Sequence, residues 1–150
     1  MISVSDDENK DDIFNSSINS KYYSINNFNT LKPDKSNFGL ADVNIASLDA
    51  HIDDLRTLLC KLKSSFDVIG ILEDKIRKDS APSNDIEMPG YEEFDYVPTE
   101  TCFGRTGFYV KSGLNYKARK DFNLNSQGNF EAMFIELIFP DRKKLIVGCI

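Results

Sequence analysis

Residues 66–76 read FDVIGILEDKI, an apolar run that ends abruptly at an acid, Glu73. The run from Phe66 to Leu72 is continuous, as expected of a strand whose sheet is covered on both faces. A turn residue would be the ordinary end of such a strand. The carboxylate therefore needs an explanation, and that explanation depends on the neighbouring segments.

The segment before this run predicts a strand followed by a helix. Residues 38–45 form the strand, with Ala41, Val43 and Ile45 on one side. Asp49 is the predicted cap of the helix. The predicted helix has one apolar face, which we expect to be buried: Ile52, Leu55, Leu58, Leu59 and Leu62. Its first turn holds the acids Asp53 and Asp54 and its last turn the bases Lys61 and Lys63, as the helix dipole favours. Strand, helix and strand within about 35 residues form a crossover unit, which makes the two strands parallel.

Three further strands are predicted in the second half of the chain, at residues 104–111, 130–139 and 144–150. Pro140 to Lys143 is a hairpin-length turn between the last two. Met88-Pro89-Gly90-Tyr91 is a turn that leads into an aromatic run. The sequence therefore predicts an α/β fold with one mixed β-sheet and flanking helices.

The first 36 residues differ in composition from the rest of the chain. They are rich in Asn, Ser, Asp and Lys, and their apolar residues follow neither the helical nor the strand period. We expect a mostly disordered leader at 1–36 and a folded domain at 37–150. Within the leader, Tyr22-Tyr23 and Phe28 to Leu31 are candidates for a local contact with the domain.

Composition limits the classes of function. The chain of 150 residues has a hydrophobic fraction of 41%, enough for one core, and no apolar run approaches the ~20 residues of a membrane span. Its three cysteines (Cys60, Cys102 and Cys149) fit neither a disulfide framework nor a zinc site, which favours an intracellular, soluble protein. The net charge of −6 argues against a protein that coats nucleic acid, although residues 111–150 hold seven bases and four acids.

Two polar residues follow the two strands that are predicted to be parallel neighbours. Asn44 ends the first and Glu73 follows the second, and ligands of open α/β sheets gather at that edge. An amide oxygen and a carboxylate form an oxygen-rich site that suits Mg²⁺. The alternative is that Asn44 caps a turn and Glu73 is a solvated loop acid. The lone histidine, His51, is predicted to be a surface residue of the helix.

The order of these segments resembles the exonuclease–endonuclease–phosphatase superfamily, and more closely the apurinic-type endonuclease domain of non-LTR retrotransposons. The family shows N-I-x-S-L and then F-D-x-I-x-x-x-E, as residues 44–48 and 66–73 do here. Its later landmarks are an I-P-G-Y-like turn (here Met88 to Tyr91), a glycine-rich strand ending in Y-[IV]-K (107–111), L-N-Y-x-x-R (114–119), F-E-x-x-F-I-E-L (130–137) and the start of V-G-x-I-Y-R-P (147–150).

The resemblance implies a DNase I-like α/β sandwich and metal-dependent hydrolysis of phosphodiester bonds. Glu73 takes the place of the family's metal-binding carboxylate, and Asn44 takes the place of the asparagine that helps arrange the site. The implied cofactor is Mg²⁺, with Mn²⁺ as a substitute, and the implied partner is DNA, nicked in the nucleus. No membrane partner is implied.

The sequence also departs from the family. Leu72 and Asp74 flank Glu73 where members commonly have Ser or Gln and Thr or His, and Gly104-Arg105 replaces a glycine pair. The family's G-D-x-N and S-D-H motifs, which supply a base and the catalytic histidine, do not occur in these 150 residues. We therefore expect the N-terminal half of the domain, with the C-terminal half missing, and an inactive fragment or degenerate copy.

A half-domain would leave one face of its sheet bare. We expect the face that carries Phe134, Leu137, Leu145 and Val147 to lack cover, and the edge at residues 144–150 to favour self-association. Two other functions remain open. The chain could be a superfamily phosphoesterase that acts on a small phosphate ester or a lipid headgroup, or a non-catalytic protein-binding module derived from this domain.

Overall fold

The computed structural model describes residues 23–31, 38–74, 86–96, 105–126 and 130–150. These residues form two helices and eight strands: α1 (Ile25–Phe28), β1 (Leu40–Asn44), α2 (Leu48–Leu62), β2 (Val68–Asp74), β3 (Asp95–Tyr96), β4 (Arg105–Val110), β5 (Tyr116–Ala118), β6 (Leu124–Ser126), β7 (Phe130–Ile138) and β8 (Lys144–Cys149). The fold is mixed α/β and consists mostly of sheet. Neither helix is long and apolar enough to cross a membrane.

The first sheet contains the predicted crossover unit. Its strand order is β1-β2-β4-β3. β1 and β2 are parallel, with Leu40 opposite Val68 and Asn44 opposite Leu72, and α2 connects them. The other pairs in this sheet are antiparallel. The prediction of two parallel strands joined by a helix is confirmed.

The ends of α2 differ from the prediction. Ser47, with an extended backbone, is the N-cap, so Asp49 lies in the first turn and does not cap the helix. Because the helix begins at Leu48, Asp53 and Asp54 lie beyond its first turn. Lys63 is the C-cap in the left-handed conformation, with φ of 50°. This earlier start gives Asp49 the favourable position near the positive end of the helix dipole.

The buried face of α2 is also shifted toward its N-terminus. Leu48, Ile52 and Leu55 are buried, whereas Leu58 is 37% exposed. The prediction that Leu58 is buried was wrong. Leu59 packs at the margin of the core instead. The apolar stripe of the sequence was wider than the contact that the helix makes with the sheet.

The structure has two sheets, whereas the sequence predicted one mixed sheet. β7 is its long central strand: β5 and β6 pair with successive parts of one side of β7, and β8 pairs with the other side. β7, β8 and the turn between them were predicted, and Phe139 N donates to Lys143 O across that turn at 2.9 Å. The short strands β3, β5 and β6 were not predicted.

The helix α2, the first sheet and the second sheet form three layers, with one hydrophobic core between each neighbouring pair. The first core lies between α2 and the first sheet and includes Ile52, Ile69 and Tyr109. The second lies between the two sheets and includes Val68, Phe108 and Ile135. β2 contributes alternate residues to both cores, because successive side chains of a strand point to opposite faces.

The expectation of an uncovered inner face was wrong. Leu137 and Val147 are 1% and 6% exposed because they pack against β2 and β4 of the first sheet. Phe134 points to the other face of the second sheet, where its ring covers Gly148. Leu145, at 37% exposure, lies at the rim of the inner face.

Part of the leader contacts the domain. Phe28 lies 6.4 Å from the ring of Phe66, measured between ring centroids, and Asn29 Nδ2 donates to Lys61 O at 2.7 Å near the end of α2. These contacts agree with the docking predicted for Phe28 to Leu31. Tyr23 is exposed, and Tyr22 lies outside the described residues. Residues 1–21 and 32–36, on which the prediction of a disordered leader also depends, lie outside the described residues as well.

The outer face of the second sheet carries a cluster of charges around Glu136. Its carboxylate accepts from Lys144 Nζ and from Arg119 Nη1, each at 2.7 Å. The hydrogen bond from Lys144 lowers the pKa of Glu136 against the opposing effect of desolvation, and Arg119 lowers it further. The cluster ties β7 to β8 and to the segment that follows β5.

This cluster predicts a dependence of stability on pH. A carboxyl whose pKa is lower in the folded state than its ordinary 4.5 stabilises the fold above that value, and its contribution is lost as the pH falls below it. We expect Glu136→Gln to lower the urea midpoint at pH 7, and the difference from wild type to shrink as the pH falls below about 4.5. The exposed Glu92→Gln is the control. A difference that is independent of pH would contradict the assignment.

Cys149 reports on the packing of the two sheets. Its thiol donates to Ile71 O at 3.6 Å, and burial, with a smaller effect of Asp42, raises its pKa to about 12. In a Cys102→Ser background, we expect iodoacetamide at pH 8 to modify the exposed Cys60 on the order of a thousandfold faster than Cys149. Urea should abolish the difference. Equal rates without urea, measured by mass spectrometry, would show that the sheets do not pack in this way.

Candidate functional site

The parallel pair β1 and β2 brings the two predicted site residues to one edge of the first sheet. Asn44 is the last residue of β1 and lies opposite Leu72, so the backbone of Glu73 is one residue further along. Ile45 N donates to Leu72 O at 3.0 Å, which continues the pairing past the end of β1. The two positions are therefore neighbours, as predicted.

Glu73 lies inside β2, whereas the sequence analysis placed it after the strand. The ladder between β2 and β4 pairs Ile71 with Gly107 and Asp74 with Arg105. Two residues of β2, Leu72 and Glu73, thus stand opposite one residue of β4. This irregularity is a β-bulge. The position of the Glu73 side chain lies outside the described part of the structure.

A bulge at this place has a chemical consequence. An extra residue interrupts the strict alternation of side chains, bends the strand and re-aims the residues that follow, and bulges are frequent beside active sites. Without it, Leu72 and Glu73 would point to opposite faces of the sheet. The predicted metal ligand therefore occupies the one position of β2 where the backbone departs from regular pleating.

Two further polar residues lie at this edge, and the sequence analysis missed both. Thr106, opposite the bulge on β4, is only 4% exposed. Asp42, two residues before Asn44, lies on the same face of β1, because Val43 between them packs into the helix–sheet core. Thr106 carries an ordinary strand signal inside an apolar run, and Asp42 precedes the recognised motif. Only the pairing of the strands identifies them.

The end of β8, in the second sheet, also lies beside this edge of the first sheet. A Cβ on Gly70 of β2 would collide with the carboxylate of Asp42 and would come within 3.1 Å of Cys149 Sγ. Cys149, the last residue of β8, therefore lies directly over β2. The candidate site is bordered by the first sheet, with Asn44, Glu73 and Thr106, and by the end of β8.

The donors that this edge offers to a divalent cation are few. Among the described side chains no group of three or more histidine, cysteine, aspartate or glutamate residues has the arrangement of a metal centre. The amide of Asn44 is exposed at the strand end. One amide oxygen and one carboxylate suit a hard cation such as Mg²⁺, which keeps several waters and takes its other ligands from a phosphate.

His51 does not belong to this site. It lies in the first turn of α2, is exposed, and its Nδ1 is 3.2 Å from Asp54 Oδ2. The prediction of a surface histidine is confirmed.

A cavity of about 640 Å³ lies elsewhere, along residues 86–96. Tyr91 in its lining donates to Phe66 O at 2.8 Å, before the start of β2, whereas Tyr96 at its other end pairs with Gly107 of β4. The other lining residues include three glutamates, Glu87, Glu92 and Glu93. An acidic and aromatic lining offers no cation to a phosphate, so this cavity is not the counterpart of the predicted site.

Comparison of the chain with protein-family models, with curated proteins and with solved structures gave no match.

The close contact at Gly70 predicts a cost for adding one methyl group. We expect Gly70→Ala to lower the free energy of unfolding by about 1–3 kcal/mol, because Asp42 and the buried Cys149 must both move. Gly39→Ala is the matched control: its Cβ would meet Phe66 Cα at an ordinary 3.5 Å. Urea denaturation measures both. Equal effects would show that β8 does not lie over β2.

Proposed function

We propose that this chain supplies the metal-binding part of a DNase I-like domain that hydrolyses phosphodiester bonds in DNA. The observation that carries the proposal is the meeting of Asn44 with the bulged pair Leu72-Glu73 at the carboxyl edge of two parallel strands. The ordered family motifs of the sequence supply the reaction type. The two packed sheets are compatible with a sandwich of this kind.

Glu73 and Asn44 are the residues that would hold the metal. A bound Mg²⁺ supplies positive charge that stabilises the phosphoryl oxygens and the leaving oxygen as negative charge develops on them. Glu73 contributes the negative charge that selects a cation. Asn44 contributes a neutral oxygen acceptor together with two N–H donors, so one side chain can contact both a cation and a phosphate oxygen.

The scaffold would fix these two side chains relative to each other. β1 and β2 are held in register from Leu40 to Asn44, and both α2 and the second sheet cover β2. A site on paired strands is positioned more precisely than one on a loop. The buried Thr106 lies opposite the bulge on β4, so the strand that faces Leu72 and Glu73 is itself packed in the fold.

The negative net charge of the chain makes the proposed binding of DNA depend on a bound metal ion and on local basic residues. A net charge of −6 repels a polyanion at long range, so affinity for DNA must come from local cations and from the metal itself. The bases of residues 111–150 are one such local source. We expect binding of DNA to depend on Mg²⁺ and to weaken with salt.

Metal binding tests the site separately from catalysis. With the chain of 150 residues, Mn²⁺ should broaden the amide NMR signals of Asn44, Ile45 and Thr106 before those of α1, which packs beside Phe66 at the other end of β2. Glu73→Gln should weaken Mn²⁺ affinity by about tenfold or more, which corresponds to the loss of ~1.4 kcal/mol. Glu87→Gln, at an exposed glutamate whose backbone carbonyl accepts from Arg56 of α2, is the control. Broadening that is unchanged in Glu73→Gln would exclude this site.

Nicking of supercoiled plasmid tests what the chain can do alone. Hydrolysis needs a base to activate water as well as a metal. The G-D-x-N and S-D-H motifs do not occur in these 150 residues, so we expect no Mg²⁺-dependent nicking above that of Glu73→Ala. Robust nicking that Glu73→Ala abolishes would show that these residues hold a complete catalytic site.

A further inference from the structure

Thr106 is a polar residue whose side chain is almost completely buried beside the candidate site. Only 4% of its surface is exposed. It lies on the face of β4 that packs against the second sheet, because Phe108, two residues further along the strand, belongs to the core between the sheets. A hydroxyl in such a place needs a hydrogen-bond acceptor, since burial without one is unfavourable.

The pairing of β4 with β2 places Thr106 opposite the bulge. The residues before and after Thr106 each pair with one residue of β2, and between those two pairs β2 has two residues, Leu72 and Glu73. Directly opposed residues of antiparallel strands have their Cβ atoms about 4.5–5.5 Å apart. A threonine hydroxyl and a glutamate carboxylate can span that distance with one hydrogen bond.

The chemistry of the neighbouring side chains points to Glu73 as the acceptor. The core between the sheets, which lies on the same face as Thr106, is built from apolar residues such as Phe108 and Met133, and Leu72 packs against it. Of the two residues that stand opposite Thr106, only Glu73 carries a side chain that accepts a hydrogen bond. The hydroxyl of Thr106 is a donor suited to it.

We propose that Thr106 is a positioning residue for the metal-binding carboxylate: its hydroxyl donates a hydrogen bond to Glu73 and so fixes the orientation in which Glu73 meets a divalent cation. This inference rests on the proposed function, because it assigns Thr106 a role toward the metal. A carboxylate has two oxygens, so one can accept from the hydroxyl while the other binds the cation.

The bulge makes such a constraint necessary, and β4 is the strand that can supply it. A bulge interrupts regular pleating, so pleating alone does not orient the residues that it contains. β4 is held between β2 and β3, with Phe108 in the core on one face and Tyr109 in the core on the other. Carboxylates that bind metal ions are themselves hydrogen-bonded as a rule, and loss of such a partner typically weakens metal affinity by about 10–100-fold.

Two variants of the 150-residue chain separate this role from a structural one. Thr106→Val replaces the hydroxyl by a methyl group of similar size and should weaken Mn²⁺ binding by about tenfold or more. Thr106→Ser keeps the hydroxyl and should bind Mn²⁺ with nearly the affinity of the wild type. The broadening of the Asn44 amide signal during a Mn²⁺ titration measures the affinity. Urea denaturation should rank the two variants in the opposite order, because valine keeps the buried methyl group that serine loses.

The same titration in a Glu73→Ala background shows through which residue Thr106 acts. Because that background lacks the carboxylate, adding Thr106→Val should cause no further loss of Mn²⁺ affinity. A further loss of about tenfold would show that the hydroxyl acts through another group, and the proposal would be wrong.

The single variants distinguish a failure of this inference from a failure of the proposed function. If Glu73→Ala weakens Mn²⁺ binding and Thr106→Val does not, the metal site stands and Thr106 has a structural role only. If Glu73→Ala leaves the affinity unchanged, the proposed metal site is wrong and this inference is overturned with it.

Discussion

The burial of β2 on both faces is the constraint on which the rest of the structure depends. Ile69 and Ile71 face α2, whereas Val68 faces the second sheet, and all three are fully buried. A strand in this position must have apolar side chains on both sides and partners along both edges. β1 and β4 supply the edges, while α2 and the second sheet supply the faces.

This constraint also explains the small residue in the middle of the run. At Gly70, the carboxylate of Asp42 and the thiol of Cys149 occupy the space that a side chain would take. Gly70 therefore lets β8 approach β2, and Cys149 donates to the backbone of the next residue. The alternation of large and absent side chains along β2 sets the distance between the sheets.

The long strands of both sheets and the helix α2 could be predicted from the sequence, because these elements have strong and unbroken patterns. The parallel pair, the helix between them, and the long strands β4, β7 and β8 all follow from apolar runs and turn residues. The second sheet was missed as a separate layer. Its smaller strands, such as Tyr116–Ala118, are three residues long and owe their conformation to pairing with β7 and not to their own sequence.

Of the residues at the candidate site, some could be predicted from the sequence and others could not. The sequence indicated Asn44 and Glu73, because each stands at the end of a run whose neighbours are predictable. Thr106 became visible only from the register of β4 against β2. The helix cap was misplaced for a related reason: Asp49 and Ser47 are both good caps by type, and only the backbone conformation at Ser47 distinguishes them.

The position of β8 connects the predicted site to the rest of the molecule. Its inner residues, Val147 and Cys149, are buried against the first sheet, and Cys149 contacts the residue that precedes the bulge. Among the described residues, β7 is the strand that pairs with β8. The end of β8 is therefore held both by the β7 ladder and by the burial of these two side chains against the first sheet. This packing holds in place the wall that the second sheet provides beside Asn44 and Glu73.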